Sequence, residues 1–290
     1  MSIEAGKGPP VNLIVTPPRS GSRTMRRLSS IATFVLMVVA TVPAAVAGQQ
    51  LAYALPSPAT ATYTMVDSTD LLLDGPAGAL EIGGRSSWNY SLTFSAEGEG
   101  IRIVGDLGAF EASYSNPMTG NSPASRAETG VADTFELLLG PRGLAEVVSG
   151  SRRFDTDFPI LVNPEAVIFP RLPAAGAQAG DSWVDTVSTT VGEGGDRVVV
   201  YTYTLEGEVE HDGRAHLRIA VSGESSLTIA EGPMSMNLTG SETGHYLWDM
   251  ERGLAASSEI SRVEEGGMAA PDGTQVEVSF TATTRLTLEG

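Results

Sequence analysis

A chain of 290 residues with 35 Asp and Glu against 18 Lys and Arg carries a formal charge of −17, and it has no cysteine. With no basic patch to exchange for phosphate counterions, nucleic-acid binding is excluded, as is adhesion to anionic lipid headgroups. The missing cysteine removes disulfides, thiolate metal sites, cysteine nucleophiles and lipid attachment to a cysteine behind a leader.

Residues 1–24 are rich in Pro, Gly and Ser and carry no periodicity, which reads as a disordered leader. From Met25 the pattern changes. Arg26 and Arg27 form a basic pair, Ile31 to Val42 is an uncharged run, and Pro43 ends it. Ala45 and Ala47 then place small residues where a signal peptidase reads them, so cleavage is expected after Ala47, leaving Gly48 first. The expectation is a signal peptide over 25–47, with translation starting at Met25. The competing reading is a retained anchor, because the uncharged stretch from Leu28 to Ala47 is nominally long enough to cross a bilayer. Ser, Thr and Pro dilute that stretch, which favours cleavage. The mature chain is then expected to be exported, periplasmic or extracellular, with no membrane span. It becomes more acidic still, since Lys7, Arg19, Arg23, Arg26 and Arg27 leave with one acid, Glu4.

After a linker at 48–59, residues 60–290 alternate with period two. In the run 87–94, Trp88, Tyr90, Leu92 and Phe94 share one face, with Asn89, Ser91 and Thr93 on the other. At the end of the chain Val276, Val278, Phe280, Ala282, Leu286 and Leu288 lie on one face, interrupted by Thr284. Such strands are apolar on one side and wet on the other. Gly-rich turns separate them, including His211-Asp212-Gly213-Arg214, which reads as a hairpin. The fold class is therefore all-β, with about a dozen antiparallel strands forming a curved sheet or half-barrel, or else a sandwich. The run 197–205 is apolar on both faces, which predicts a central strand. Glu264 and Glu265, ahead of Gly266 and Gly267, read as a solvated loop. Four prolines break the alternation between 158 and 180, too many for central strands. This segment reads as a crossover with one helical turn near 163–169, Pro164 suiting a first helical position. It joins halves at about 60–157 and 181–290.

The two halves share a tetrapeptide. Arg-Gly-Leu-Ala occurs at 142–145 and again at 252–255, each time between two strand patterns and each time after an Ile-Arg-Ile or Leu-Arg-Ile strand. Gly143 and Gly253 fit hairpin turns that need left-handed backbone. A duplicated half accounts for the match, and so does the compositional likeness of strand-rich sequences.

Catalytic chemistry is hard to find. His211 and His216 flank the hairpin turn beside Asp212, and His245 stands apart; no spacing among them matches a metal motif, and solvated turn histidines are the simpler reading. No nucleophile elbow or phosphate-binding loop occurs. Asp155 and Asp157 share a face of an extended segment beside Arg152 and Arg153, which reads as a surface ion-pair cluster before it reads as a paired-carboxylate hydrolase or a calcium site. Asp181 reads as a turn residue ahead of the strand at Trp183. Trp88, Trp183 and Trp248 read as core. The scarcity of aromatics, 6%, argues against the girdles of an outer-membrane barrel. No catalytic residue, metal ligand or cofactor is assigned, and the chain is expected not to be an enzyme.

Pro170, Pro173, Gly180, Asp181 and Trp183 form a proline-bearing crossover that leads into Gly-Asp-Ser-Trp at a strand start. This resembles a signature of uncharacterised exported bacterial all-β proteins. The strand pattern also resembles the half-barrels of periplasmic lipoprotein carriers. That second resemblance implies a concave apolar face able to hold a lipid or another apolar small molecule. The function expected is a non-catalytic cell-envelope protein with such a ligand. The alternative is a structural module that binds an envelope protein.

Overall fold

The computed structural model describes residues 51–115, 124–149, 167–191, 195–231, 234–269 and 271–289, all within the compact unit Val46–Gly290. Eleven strands make one antiparallel sheet: β1 (Thr60–Gly75), β2 (Gly78–Glu97), β3 (Gly100–Ser115), β4 (Ala124–Leu139), β5 (Ala145–Ser149), β6 (Ser182–Val191), β7 (Gly195–His211), β8 (Arg214–Glu231), β9 (Met234–Asp249), β10 (Leu254–Ala269) and β11 (Gln275–Leu288). Their order is β5-β4-β3-β2-β1-β11-β10-β9-β8-β7-β6. Each half is a meander, and the two meet where the first strand pairs with the last, Tyr63 opposite Leu288 and Asp74 opposite Glu277. Being one continuous sheet, it is not a sandwich, and it is not closed, because β5 and β6 are its end strands.

The alternation seen in the sequence sets the faces. The buried side of β1 and β2 is Tyr63, Met65, Trp88, Tyr90 and Leu92, each at most 2% exposed. The other side of β11 is Glu277, Ser279, Thr281, Thr283, Arg285 and Thr287, where Arg285 pairs with Glu259 across β10. A polar outer face and an apolar inner face make a sheet curl around its own core. The curl is visible in the crossover that follows β5. There Leu172 N donates to Arg142 O (3.0 Å), at the turn before β5, while Trp183 Nε1 of β6 donates to Arg171 O (2.9 Å). In a flat eleven-stranded sheet the two ends would stand about 50 Å apart. Here one segment spans them. Val167 and Ile168 carry helical backbone, the described part of the turn expected over 163–169.

Two sequence expectations change. The strand containing 197–205 is β7, next to the β6 end of the sheet and not central. Its outer apolar residue Val200 is 44% exposed, and its apolar character on both faces reflects a patch near the seam. Glu264 and Glu265 lie inside β10, not in a loop, and Glu264 is 1% exposed. The hairpin at 211–214 holds as read, with Asp212 and Gly213 at φ 51° and 73°, the left-handed pair such a turn requires.

Both Arg-Gly-Leu-Ala segments are hairpin turns, β4–β5 and β9–β10, with Gly143 and Gly253 at φ 83° and 65°. The segment before β1 reaches both of them. Tyr53 N donates to Pro141 O (3.0 Å) at the first turn, and its ring meets Trp248 edge to face (4.9 Å) just ahead of the second. A Cβ at Gly143 would strike Pro170 O and lie 2.8 Å from Tyr53 Cε2, so this turn has no space for a side chain.

Candidate functional site

The inner face is not uniformly apolar. Along β8, Leu217, Ile219 and Val221 belong to a large apolar cluster, while Leu227 belongs to a second and smaller one. Between them stands Ser225, and the same interval on the neighbouring strands holds Arg197, Glu242, Arg262, Glu264, Thr284 and Asp67. Arg197 is the hub. Its Nη2 bonds Glu242 and, at 3.1 Å, Glu264 Oε1, and its Nε reaches Glu264 Oε1 at 3.2 Å. Ser225 Oγ donates to Glu264 Oε1 (2.9 Å), and the Tyr201 hydroxyl donates to Glu242 Oε2 (2.6 Å). Gly223 makes room for the Tyr201 ring, since a Cβ there would sit 2.8 Å from Tyr201 Cδ1. Arg262 lies over the Phe280 ring, 4.6 Å from its centroid. Burial, then the nearby Arg197 charge, holds the Arg262 guanidinium below its usual range.

Asp67 is the acid of this layer nearest the sheet's centre. It is 2% exposed, and its Oδ1 accepts from Thr284 Oγ1 at 2.5 Å. Burial lifts its pKa from 3.8 to about 6, only partly offset by the Thr284 bond and by Arg262. A carboxyl raised in this way favours the folded state at pH below its ordinary value. That contribution is lost as pH rises through about 6. Replacement by Asn removes the titration. Going from about pH 4 to about pH 8, the wild type should lose roughly 2–3 kcal/mol relative to Asp67→Asn, as the shift implies. Urea unfolding of both proteins across that range checks it, and a pH-independent difference would refute it.

Tyr201 also lines a cavity of about 340 Å³ at the seam between the two ends of the sheet. Phe169, Tyr201 and Tyr203 give it aromatic surface, Leu144, Ala145 and Val187 give aliphatic surface, and Arg171, Thr186, Ser188 and Thr189 give polar groups. Trp183 stacks on Tyr203 (5.7 Å, 12°), supporting that wall from outside the lining. Leu144 (63% exposed) and Val184 (63% exposed) stand on opposite sides of the seam, with Val147, Val148 and Val200 also exposed. Its volume is at the low end of the roughly 300–1,000 Å³ usual for small-molecule sites.

The residues singled out by sequence fall mostly elsewhere. Ala45, Ala47, Gly48, Arg152, Arg153, Asp155 and Asp157 lie outside the described residues. Asp181 makes its turn, accepting from Gln178 N (2.8 Å) while its own N–H donates to Gln178 O (2.9 Å). Trp88 and Trp248 are core, each 2% exposed, and Trp183 packs against that core half-buried. The histidines are corrected in part. His216 is not solvated: it is 4% exposed, bonded to Arg214 O (3.2 Å) and edge-on to His211 (5.8 Å). His245, on β9, is held below its usual pKa by burial and then by Arg218. Among the described residues no group of three or more His, Asp or Glu is placed to hold a metal ion. Neither the seam cavity nor the polar layer was legible from sequence, since both join residues far apart in the chain.

The site belongs to a class defined by geometry: an open, curled antiparallel sheet with a cavity at its seam. No protein-family model matches the chain, and a search of curated proteins finds no match. Solved structures overlap it, two of them as follows. One is the COG4313 outer membrane channel from Pseudomonas putida F1, 9% identical over 82% of this chain and 97% of that one, at a TM-score of 0.27. The other is a DUF1329 family protein from Desulfovibrio piger, 11% identical over 78% and 84%, at a TM-score of 0.16. Overlaps this loose carry no argument about activity. Among the described residues no helix is long and apolar enough to cross a membrane.

Proposed function

We propose that this chain is an exported, non-catalytic cell-envelope protein that holds an apolar or lipid-like ligand in the seam cavity. The observation that carries the reading is a cavity with aromatic, aliphatic and polar surface lying between two sheet ends that, among the described residues, have no strand beyond them. Leu144 of its lining is itself 63% exposed, and Val147, Val148 and Val184 are exposed elsewhere on the two end strands; apolar patches on otherwise polar surfaces mark binding sites. A bilayer-spanning barrel suits the sheet poorly, because its outer face carries Ser, Thr, Glu and Arg where lipid requires an apolar band.

The test is native mass spectrometry of the mature protein taken from its host's envelope, followed by lipid extraction. A stoichiometric adduct released on denaturation is expected. Val187→Trp, which fills the cavity from β6, should lower occupancy about tenfold while leaving the unfolding free energy within about 1 kcal/mol of the wild type. An adduct that persists in this variant would move the ligand elsewhere.

The sheet ends, unpaired among the described residues, favour a second reading, an interaction module that accepts a partner's strand beside β5 or β6 by main-chain pairing. A clean apo mass together with a captured envelope protein would select it.

A further inference from the structure

Resting on the second reading above, we infer that β6, in preference to β5, is the edge that accepts a partner's strand, and that the strand it fits is extended, uncharged and rich in Thr and Val. The two ends of the sheet are built differently. β5 offers five described residues, carries Glu146 and breaks register with β4 between Glu136 and Leu137. Shortness, charge and bulges are the devices by which natural sheets keep their edges from pairing. β6 has none of the three. It runs for ten residues, Ser182–Val191, in unbroken register with β7 and without Pro, Gly or a basic side chain. Its one charge, Asp185, lies 2.9 Å from Arg171 Nε and is matched within the chain.

Which main-chain groups face outward follows from one bond. Leu205 N donates to Asp181 O (2.9 Å), just ahead of the pairs Ser182 with Thr204 and Trp183 with Tyr203. Bonded and non-bonded pairs alternate along an antiparallel ladder. Trp183, Asp185, Val187 and Thr189 therefore bond β7, and the N–H and C=O groups of Val184, Thr186, Ser188 and Thr190 point away from it. Among the described residues no turn or loop main chain bonds these four. Trp183 and Val187 pack on the core, so the side chains of the four lie on the outer face. There Val184 is 63% exposed and Val200, opposite Thr186, is 44% exposed. Thr202 and Val198, opposite Val184 and Ser188, complete a patch that carries no charge. An acidic strand would be repelled by a chain of charge −17, whereas β-branched side chains pack on such a surface in cross-strand pairs. On the inner side Val187 lines the seam cavity, which leaves space for alternate side chains of an added strand.

The heptapeptide acetyl-Thr-Val-Thr-Val-Thr-Val-Thr-amide, kept below its aggregation limit, tests this on the mature protein by titration and by amide hydrogen exchange. In the free protein the amides of Val184, Thr186, Ser188 and Thr190 should exchange at least about tenfold faster than those of Trp183, Asp185 and Val187. The peptide should bind and slow these four. Aspartates in place of its threonines should weaken binding about tenfold. Thr186→Pro and Ser188→Pro each delete an outward N–H and leave the bonds to β7 in place. The urea midpoint should therefore hold while affinity falls at least about tenfold. Val147→Pro on β5 should leave affinity unchanged. Slow exchange of the four amides in the free protein means that the edge is already covered, by a second copy or by the chain itself, and overturns the inference. Affinity lost in Val147→Pro and kept in the β6 variants also overturns it, moving the strand to β5 and leaving the strand-acceptor reading standing. A peptide that fails to bind the wild type, or binds every variant alike, overturns that reading as well.

Discussion

Replacing Arg197 by Met should destabilise the protein by about 3–5 kcal/mol, the usual result of breaking a buried ion pair from one side. Two carboxylates depend on this guanidinium, those of Glu242 and Glu264, and their side chains are 6% and 1% exposed. Without Arg197 they keep single hydroxyl donors, Tyr201 for Glu242 and Ser225 for Glu264. Met fills much of the vacated space, so the loss measures stranded charge more than a cavity. The triple variant Arg197→Met, Glu242→Leu, Glu264→Leu tests that account, because removing the charges together should recover most of the loss. Urea unfolding with an unchanged slope checks both. A loss below about 1 kcal/mol in the single variant would mean that water already enters the layer and solvates the acids.

Tyr53→Ala should cost a similar amount, about 3–5 kcal/mol, as truncations of buried aromatic residues do. Tyr53 is 5% exposed and lies before the first strand. Its ring meets Trp248 at 4.9 Å and Phe169 at 5.9 Å, both edge to face, and its hydroxyl donates to Pro170 O at 2.9 Å. One side chain thus joins the inner face of β9 to the crossover that spans the seam. Tyr53→Phe keeps the ring contacts and loses one hydrogen bond, for about 1–2 kcal/mol. Hydrogen exchange at Leu172, whose amide bonds Arg142 O, should rise in the Ala variant well before exchange in β1 and β11 does. Uniform protection across the crossover and the central strands would show that the seam is not held by Tyr53.

How far the chain could be read beforehand follows from the range of each interaction. Alternation is local, so the faces of β2 and β11 were evident from Trp88 to Phe94 and from Val276 to Leu288. Thr284 broke that alternation, and its hydroxyl turns out to bond a buried acid 217 positions away, Asp67. The Glu264–Gly267 run misled for a related reason. Acid followed by glycine is turn chemistry by composition, yet a carboxylate can stay inside a strand when a guanidinium from another strand meets it.

Sequence alone determined the all-β class and the hairpins at Asp212-Gly213 and at the two Arg-Gly-Leu-Ala turns. Period-two burial and left-handed turn backbone are set by neighbours a few positions apart. Tertiary structure alone decided that the first and last strands pair at the centre, that β7 lies beside an end, and that Arg171 of the crossover pairs with Asp185 of β6. Those outcomes depend on which strand edge finds which partner and how far the sheet curls, and long-range pairing of that kind leaves no trace in local spacing.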